Sequence, residues 1–189
     1  MSQHRRHVAM AAATLVSAVL MTGYGDAGGA PQTASPDDRA HRAAREGRGQ
    51  EAVDLVWSAL QALPLPAPDG LDLHLRRDIL SFGNTSWPVP EDAVRMAYRA
   101  EIAVREARDE SGFWDAEREL QRAVRMAPWS GPATFNLAIA QSRIGLFSAA
   151  AGNMALYLDF LAAGESPQSK HDLKGKIWDW EYARDQGKG

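Results

Sequence analysis

Carboxylates are the most numerous reactive side chains in the middle of the chain, and they stand close to arginines. Paired acids can hydrolyse glycosides when one donates a proton and the other acts as nucleophile or base. However, Glu91 lies four residues before Arg95, a spacing typical of ion pairs on a solvated helix face. We expect such an exposed charged face, and an acid–base pair is the alternative. The acids concerned are Glu91, Asp92, Glu101, Glu106, Asp109, Glu110, Asp115, Glu117 and Glu119.

The remaining reactive side chains form no recognisable motif. The histidines stand at positions 4, 7, 41, 74 and 171, without an H-x-x-x-H or H-x-x-E spacing. The chain has no cysteine, which excludes disulfides, thiol catalysis and thiolate metal sites. We therefore expect no catalytic residue, no metal and no cofactor.

Composition is that of an ordinary globular protein. The 189 residues are 45% hydrophobic and 24% charged, which suits one domain or a short repeat array. The net charge of −3 does not fit a nucleic-acid-binding protein, which would carry a basic patch or stripe.

One spacing recurs in the second half of the chain. The segment "FWDAERELQRAVRMAP" (113–128) aligns with "FSAAAGNMALYLDFLA" (147–162) at a constant offset, 147 − 113 = 34. A fixed offset of this length indicates a structural repeat. The aligned pairs are Phe113 with Phe147, Ala116 with Ala150, Leu120 with Met154, and Ala123 with Tyr157.

An earlier segment, "GQEAVDLVWSALQALP" (49–64), follows the same pattern at a longer offset, 116 − 52 = 64. The excess of this offset over the shorter one, 64 − 34 = 30, predicts an insertion of that length between the first and second units. The residues that keep the longer offset are Ala52, Val56, Ala59 and Pro64, which precede Ala116, Leu120, Ala123 and Pro128.

The segment "ATFNLAIAQSRIG" (133–145), followed by Phe147 and Ala150, resembles the tetratricopeptide repeat, a helical hairpin with the same period. Small residues at Ala138 and Ala150 would let the two helices approach closely. The resemblance implies an all-α fold of stacked antiparallel helical hairpins that form a right-handed solenoid. "APWSGPATFNLAIAQSRIG", "LYLDFL" and "KIWDWEYA" also resemble the closing half of exported bacterial tetratricopeptide proteins without an assigned activity.

The pattern divides the chain into seven segments. Within the insertion, "LDLHLRRDIL" fits either a strand or a helix, and a short helix is favoured. In the last segment, Leu173, Ile177 and Trp180 form an apolar stripe suited to capping the open end of a stack. The segments are a signal peptide (1–25), a flexible linker (26–35), a degenerate repeat-like hairpin (36–64), the insertion (65–90), two repeats (91–128 and 129–163) and a capping helix (168–184).

The resemblance further implies a peptide-binding groove on the concave side, formed by the first helix of each unit. Asn136 stands where some family members hold a peptide carboxylate, and its alternative role is structural. Trp129 follows the repeat-closing Pro128, where it either lines the groove or packs between hairpins. The other implied groove residues are Tyr98, Glu101, Arg105, Arg108, Phe135, Ile139 and Ser142.

The first residues have the anatomy of an export signal. Arg5 and Arg6 precede an apolar run from 8 to 21, which is too short to span a bilayer as a stable helix. Tyr24 stands where a bacterial lipoprotein would carry its lipid-accepting cysteine. We expect an exported protein, periplasmic or secreted, without a lipid anchor and without a transmembrane segment in the mature chain.

These observations favour a protein–protein interaction module that binds a protein or peptide partner in the cell envelope, with no nucleic acid. The first alternative is a structural scaffold for envelope or appendage assembly, which would involve self-association. The remote alternative is an enzyme that acts on cell-wall glycans through the acids between positions 106 and 119.

Overall fold

The computed structural model describes residues 35–67, 70–83 and 87–188, and within them it contains helices and no strand. The all-α prediction is confirmed, and "LDLHLRRDIL" belongs to a helix. The predicted signal peptide, with Tyr24, and the linker up to residue 34 lie outside the described residues. The helices are α1 (Pro36–Arg45), α2 (Gly49–Ala62), α3 (Leu71–Phe82), α4 (Glu91–Glu106), α5 (Glu110–Met126), α6 (Gly131–Arg143), α7 (Phe147–Leu156) and α8 (Pro167–Asp185); a π-helical stretch (Tyr157–Leu161) extends α7.

Local signals explain where several helices begin. Ser35, Asp109 and Ser166 each accept a hydrogen bond from the backbone N–H three residues later, at 3.0, 3.0 and 3.1 Å. These side chains satisfy amide groups that the first turn of a helix leaves without a partner. A proline in the first turn of α1, α6 and α8 suits the same position because it has no amide to satisfy.

Two helical hairpins share the same turn. Gly47 follows α1 and Gly145 follows α6, with φ angles of 76° and 77°. Glycine adopts this left-handed conformation without steric cost, so it ends a helix and reverses the chain.

Each helix packs against the next along the chain except at the step from α3 to α4, and some contacts join more distant helices. α4 contacts α6 in addition to α5, and α3 contacts α7. The core between α4, α5 and α6 is rich in alanine, which lets the helix backbones approach closely. Its buried members are Ala97, Ala100, Ala116, Leu120, Ala123, Val124, Ala133, Leu137 and Ala140.

The last helix closes one side of α6 and α7. Leu173 of α8 is buried with Ala138 and Met154, and Ile177 and Trp180 pack against the same cluster. The apolar stripe predicted on this helix therefore does pack inward. None of the helices in the described part of the chain is long and apolar enough to cross a membrane.

Candidate functional site

A cleft of about 940 Å³ lies between the start of α3, the middle of α5 and the start of α7. Its lining combines arginines, amides and apolar side chains. The residues that line it include Leu65, Pro66, Asp72, Leu73, Trp114, Glu117, Arg118, Gln121, Arg122, Arg125, Gln141, Leu146, Phe147, Asn153 and Arg184.

Helix α5 supplies one wall because its two faces differ in chemistry. Trp114, Arg118, Gln121 and Arg125 recur every three or four residues along the cleft side, which is the period of a single helix face. Ala116, Leu120 and Ala123 occupy the opposite face and are buried. The sequence of α5 thus places apolar residues in the core and a mostly polar stripe along the cleft.

Arg76 of α3 is fully buried and ties this helix to the two helices opposite. Its Nη1 donates to Asn153 Oδ1 of α7 at 2.6 Å, and its Nη2 donates to Thr134 Oγ1 of α6 at 2.9 Å. Burial lowers the pKa of Arg76 to about 10, an effect that Asp72 opposes. A buried cation is therefore held by neutral oxygen acceptors.

The hydrogen bonds continue from Asn153 to α5. Asn153 Nδ2 donates to Gln141 Oε1 at 2.8 Å, and Gln141 Nε2 donates to Glu117 Oε1 at 3.3 Å. Gln121 also donates to Glu117 Oε1. One polar network therefore spans α3, α7, α6 and α5 beneath the cleft.

Glu117 is the acid that departs most clearly from the expected solvated face. It is only 3% exposed, and burial raises its pKa, while hydrogen bonds from Gln141 and Gln121 lower it. The expectation of exposure is corrected for this residue, because Glu117 is buried where Gln141 and Gln121 donate to its Oε1. On the surface of α4 and α5, by contrast, the Glu91–Arg95 and Asp115–Arg118 pairs do form.

Arg125 lies at the rim of the cleft and binds the loop that follows α2. It donates Nη1 to the carbonyl oxygen of Leu63 at 2.7 Å and Nη2 to that of Pro64. In return, Gln61 Nε2 donates to the carbonyl oxygen of Arg125 at 2.8 Å. Burial lowers the pKa of Arg125, and Asp72 opposes this effect.

The implied groove residues fall into two groups. On α4, Tyr98, Glu101, Arg105 and, just after it, Arg108 are exposed or partly exposed. On α6, the side chains are half-buried, and the contact between α4 and α6 brings the two helices side by side. The half-buried residues are Phe135, Asn136, Ile139 and Ser142.

The α6 part of the implied groove faces other helices of the same chain. Phe135 packs edge-on against Tyr157, with ring centroids 5.4 Å apart. Phe135 and Ile139 both pack against the cluster that contains Leu173 of α8. Helix α8 thus covers part of the surface that the resemblance assigned to a partner.

Trp129 belongs to the core rather than to a groove. It is 7% exposed and meets Trp57 and Trp87 edge-on, with ring centroids 5.6 and 5.0 Å away. Its Nε1 donates to the carbonyl oxygen of Pro88 at 3.4 Å. The groove assignment of Trp129 is corrected, because packing between helices explains this residue.

The cleft residues were not predicted as a site from sequence. A signal did exist: Gln141 and Asn153 are polar residues at buried positions of α6 and α7, next to small apolar residues. Such residues require hydrogen-bond partners, but the partner Arg76 lies 77 residues before Asn153. No family model, no curated protein and no solved structure matches the chain.

Proposed function

We propose that this chain is an exported interaction module of the tetratricopeptide type, which binds a peptide segment of a partner protein in the cell envelope. The proposal has two parts, a repeat architecture and a binding surface. Each part is supported by separate observations.

Equal burial at equivalent positions supports the repeat architecture. Ala116 and Ala150, which the repeated spacing aligns, are both buried, and so are Leu120 and Met154. The contact between α4 and α6 fits the stacking of the first helices of two successive hairpins. In this interpretation α4 with α5 and α6 with α7 are the two repeats, and α8 is the cap.

The cleft is the observation that carries the binding proposal. Four arginines and two acids line it, so the formal charge of the lining is 4 − 2 = +2. Asp115, Glu119 and Asp185 pair with three of the arginines at the rim, and an acidic ligand would compete with them for these guanidinium groups. Guanidinium groups bind carboxylates with paired hydrogen bonds. Trp114 and Leu146 add apolar surface at the opening. The ligand that fits is an extended peptide with acidic and apolar side chains.

A random-peptide library displayed on phage would test this proposal. We expect the selected peptides to be acidic, and we expect fluorescence anisotropy to give an affinity at least tenfold weaker for Trp114→Ala/Arg118→Glu than for the wild type. Tyr98→Ala/Arg105→Ala, on the exposed face of α4, is the matched control. Weaker binding by this control alone would transfer the site to the implied groove, and equal affinities for all three proteins would contradict both surfaces.

Self-association is a second candidate, supported by one feature of α8. Trp178 and Tyr182 are 60% and 65% exposed and lie one turn apart on this last helix. A second copy of the chain would cover these rings, as expected of a scaffold in envelope or appendage assembly. The third candidate, a glycan-acting enzyme, would use Glu117, the acid between 106 and 119 that lines the cleft; zymography on cell-wall glycan would test it.

A further inference from the structure

Two acid–histidine pairs meet where α1 and α3 come together. Asp37 and His41 lie four residues apart on α1, and His74 and Asp78 lie four residues apart on α3. Residues at this spacing share one face of a helix. The order of the pair is reversed on the second helix, which brings each carboxylate near imidazoles from both helices.

The potential ligand atoms lie close together. One side-chain atom each from Asp37, His41 and Asp78 lie within 4.8 Å of one another. The Nε2 atom of His74 is 3.4 Å from Asp78 Oδ2 and 3.9 Å from Asp37 Oδ2. Four ligands of a tetrahedral Zn²⁺ would stand roughly 3.4 Å apart, given bonds of about 2.1 Å. Side-chain rotation would bring the Asp37, His41 and Asp78 atoms to this separation, and the exposed His74 would supply the fourth ligand.

Two carboxylate oxygens of this cluster have no hydrogen-bond partner. Asp78 is only 7% exposed, and its Oδ2 atom is buried without a hydrogen bond. Asp37 Oδ1 is also buried and without one; His41 Nδ1 lies 3.4 Å from it. Buried carboxylates that lack hydrogen bonds are costly, and a bound cation would compensate for two of them at once.

We propose that Asp37, His41, His74 and Asp78 form a Zn²⁺ site that joins α1 to α3. Two imidazoles and two carboxylates suit zinc, whereas calcium and magnesium prefer sites made of oxygen alone. His41 Nδ1 lies 3.1 Å from the carbonyl oxygen of Asp37; a hydrogen bond there would orient the ring and leave Nε2 to bind the metal. This proposal departs from the expectation of no metal.

An ion can reach the cluster from the surface. Asp37 and His41 line a shallow depression together with Asp38, Arg42 and Arg45. The side chains of Asp37 and His41 are each 40% exposed. The proposed site is therefore buried at Asp78 and open at α1. The role that fits is structural: zinc would hold α3 against α1 while Arg76 holds it against α6 and α7.

Zinc titration of the full chain, prepared without a polyhistidine tag and stripped with a chelator, tests this inference. We expect calorimetry to show one tight site per chain and zinc to raise the melting temperature by about 5 °C or more. His41→Gln and Asp78→Asn should each weaken binding at least tenfold. Co²⁺ should give the visible bands of four-coordinate cobalt in the wild type and lose them in both variants.

The matched control is His171→Gln, at an exposed position of α8. This variant should bind zinc as tightly as the wild type does. Any zinc that His4 and His7 bind would be bound equally by the wild type and by all variants. If either of these variants fails to fold by circular dichroism, His74→Gln decides the question, because this side chain is 53% exposed. Equal zinc affinity in the wild type and the folded variants, or six-coordinate cobalt alone, would overturn the site and leave an ion-pair cluster.

Discussion

Arg76 and Asn153 are joined by a buried hydrogen bond of 2.6 Å, although 77 residues separate them along the chain. The bond connects the helix of the insertion to α7. A second contact reinforces it: the side chain of Leu73 occupies the space that a Cβ atom on Gly152 would need. Helix α3 is therefore docked on α7 and lies at the edge of the cleft.

Arg76→Ala should lower the free energy of unfolding by about 3 kcal/mol, because it leaves a cavity and removes the donors to Asn153 and Thr134. Arg76→Met should cost about half as much, since it fills most of the volume and buries no charge. Urea denaturation followed by circular dichroism measures both. The control is Arg77→Ala, which removes an exposed ion pair with Asp159 and should cost less than about 1 kcal/mol. Equal losses at 76 and 77 would contradict this role.

Glu117→Gln should change the pH dependence of stability. Burial raises the pKa of Glu117, so the folded state favours the protonated form. Its contribution is fully present below the ordinary carboxyl pKa and is lost as the pH rises through the folded value. The variant keeps Oε1 as acceptor for Gln141 and Gln121 and cannot ionise. It should therefore gain stability relative to the wild type between pH 4 and pH 7.

Urea unfolding at the two pH values measures this difference. Glu106→Gln, on the exposed end of α4, removes the same formal charge and serves as the control for net-charge effects. A stability difference between Glu117→Gln and the wild type that stays constant from pH 4 to pH 7 would contradict the prediction.

The same substitution should have opposite effects at two glycines. At Gly83, a Cβ would lie 2.8 Å from the carbonyl oxygen of Ile79 and 2.9 Å from Trp87; because a backbone oxygen cannot rotate away, Gly83→Ala should cost about 1–3 kcal/mol. Gly175 lies inside α8 with open space around it. Gly175→Ala should add about 0.5–1 kcal/mol through lower chain entropy. Thermal unfolding measures both, and a shift of the same sign at the two sites would refute the prediction.

Trp178→Ala/Tyr182→Ala tests the self-association candidate. If a second copy covers these rings, light scattering should show a dimer or larger species for the wild type and a monomer for the variant, without loss of helix content. Trp114→Ala, at the cleft, is the control and should not change the mass. A wild type that stays monomeric at high concentration would exclude this role for α8.

The helices were largely predictable from the sequence because their signals are local. Both α1 and α2 lie within the segment 36–64, for which a helical hairpin was predicted, and a serine cap and a glycine turn mark the ends of α1. Within the predicted repeat 91–128, α4 ends at Glu106 and Asp109 caps α5. The π-helical stretch after α7 carried no signal in the spacing of its residues.

The site was less predictable because it depends on contacts between distant segments. Arginines on α5 looked like members of a solvated face, and only the docking of α3 turns that face into a wall of the cleft. The acid–histidine pairs at 37 and 41 and at 74 and 78 were visible in the sequence. However, the H-x-x-x-H and H-x-x-E patterns describe metal ligands on a single helix. They do not identify a site whose ligands come from two helices.

The docked insertion has a consequence for how the chain unfolds. In a linear array each unit touches only its neighbours, so the ends can fray while the middle persists. Here the hydrogen bond from Arg76 to Asn153 closes a long loop. Helix α7 therefore cannot detach before α3 does. The molecule should therefore lose its structure in one cooperative step, with slow amide exchange in both α3 and α7.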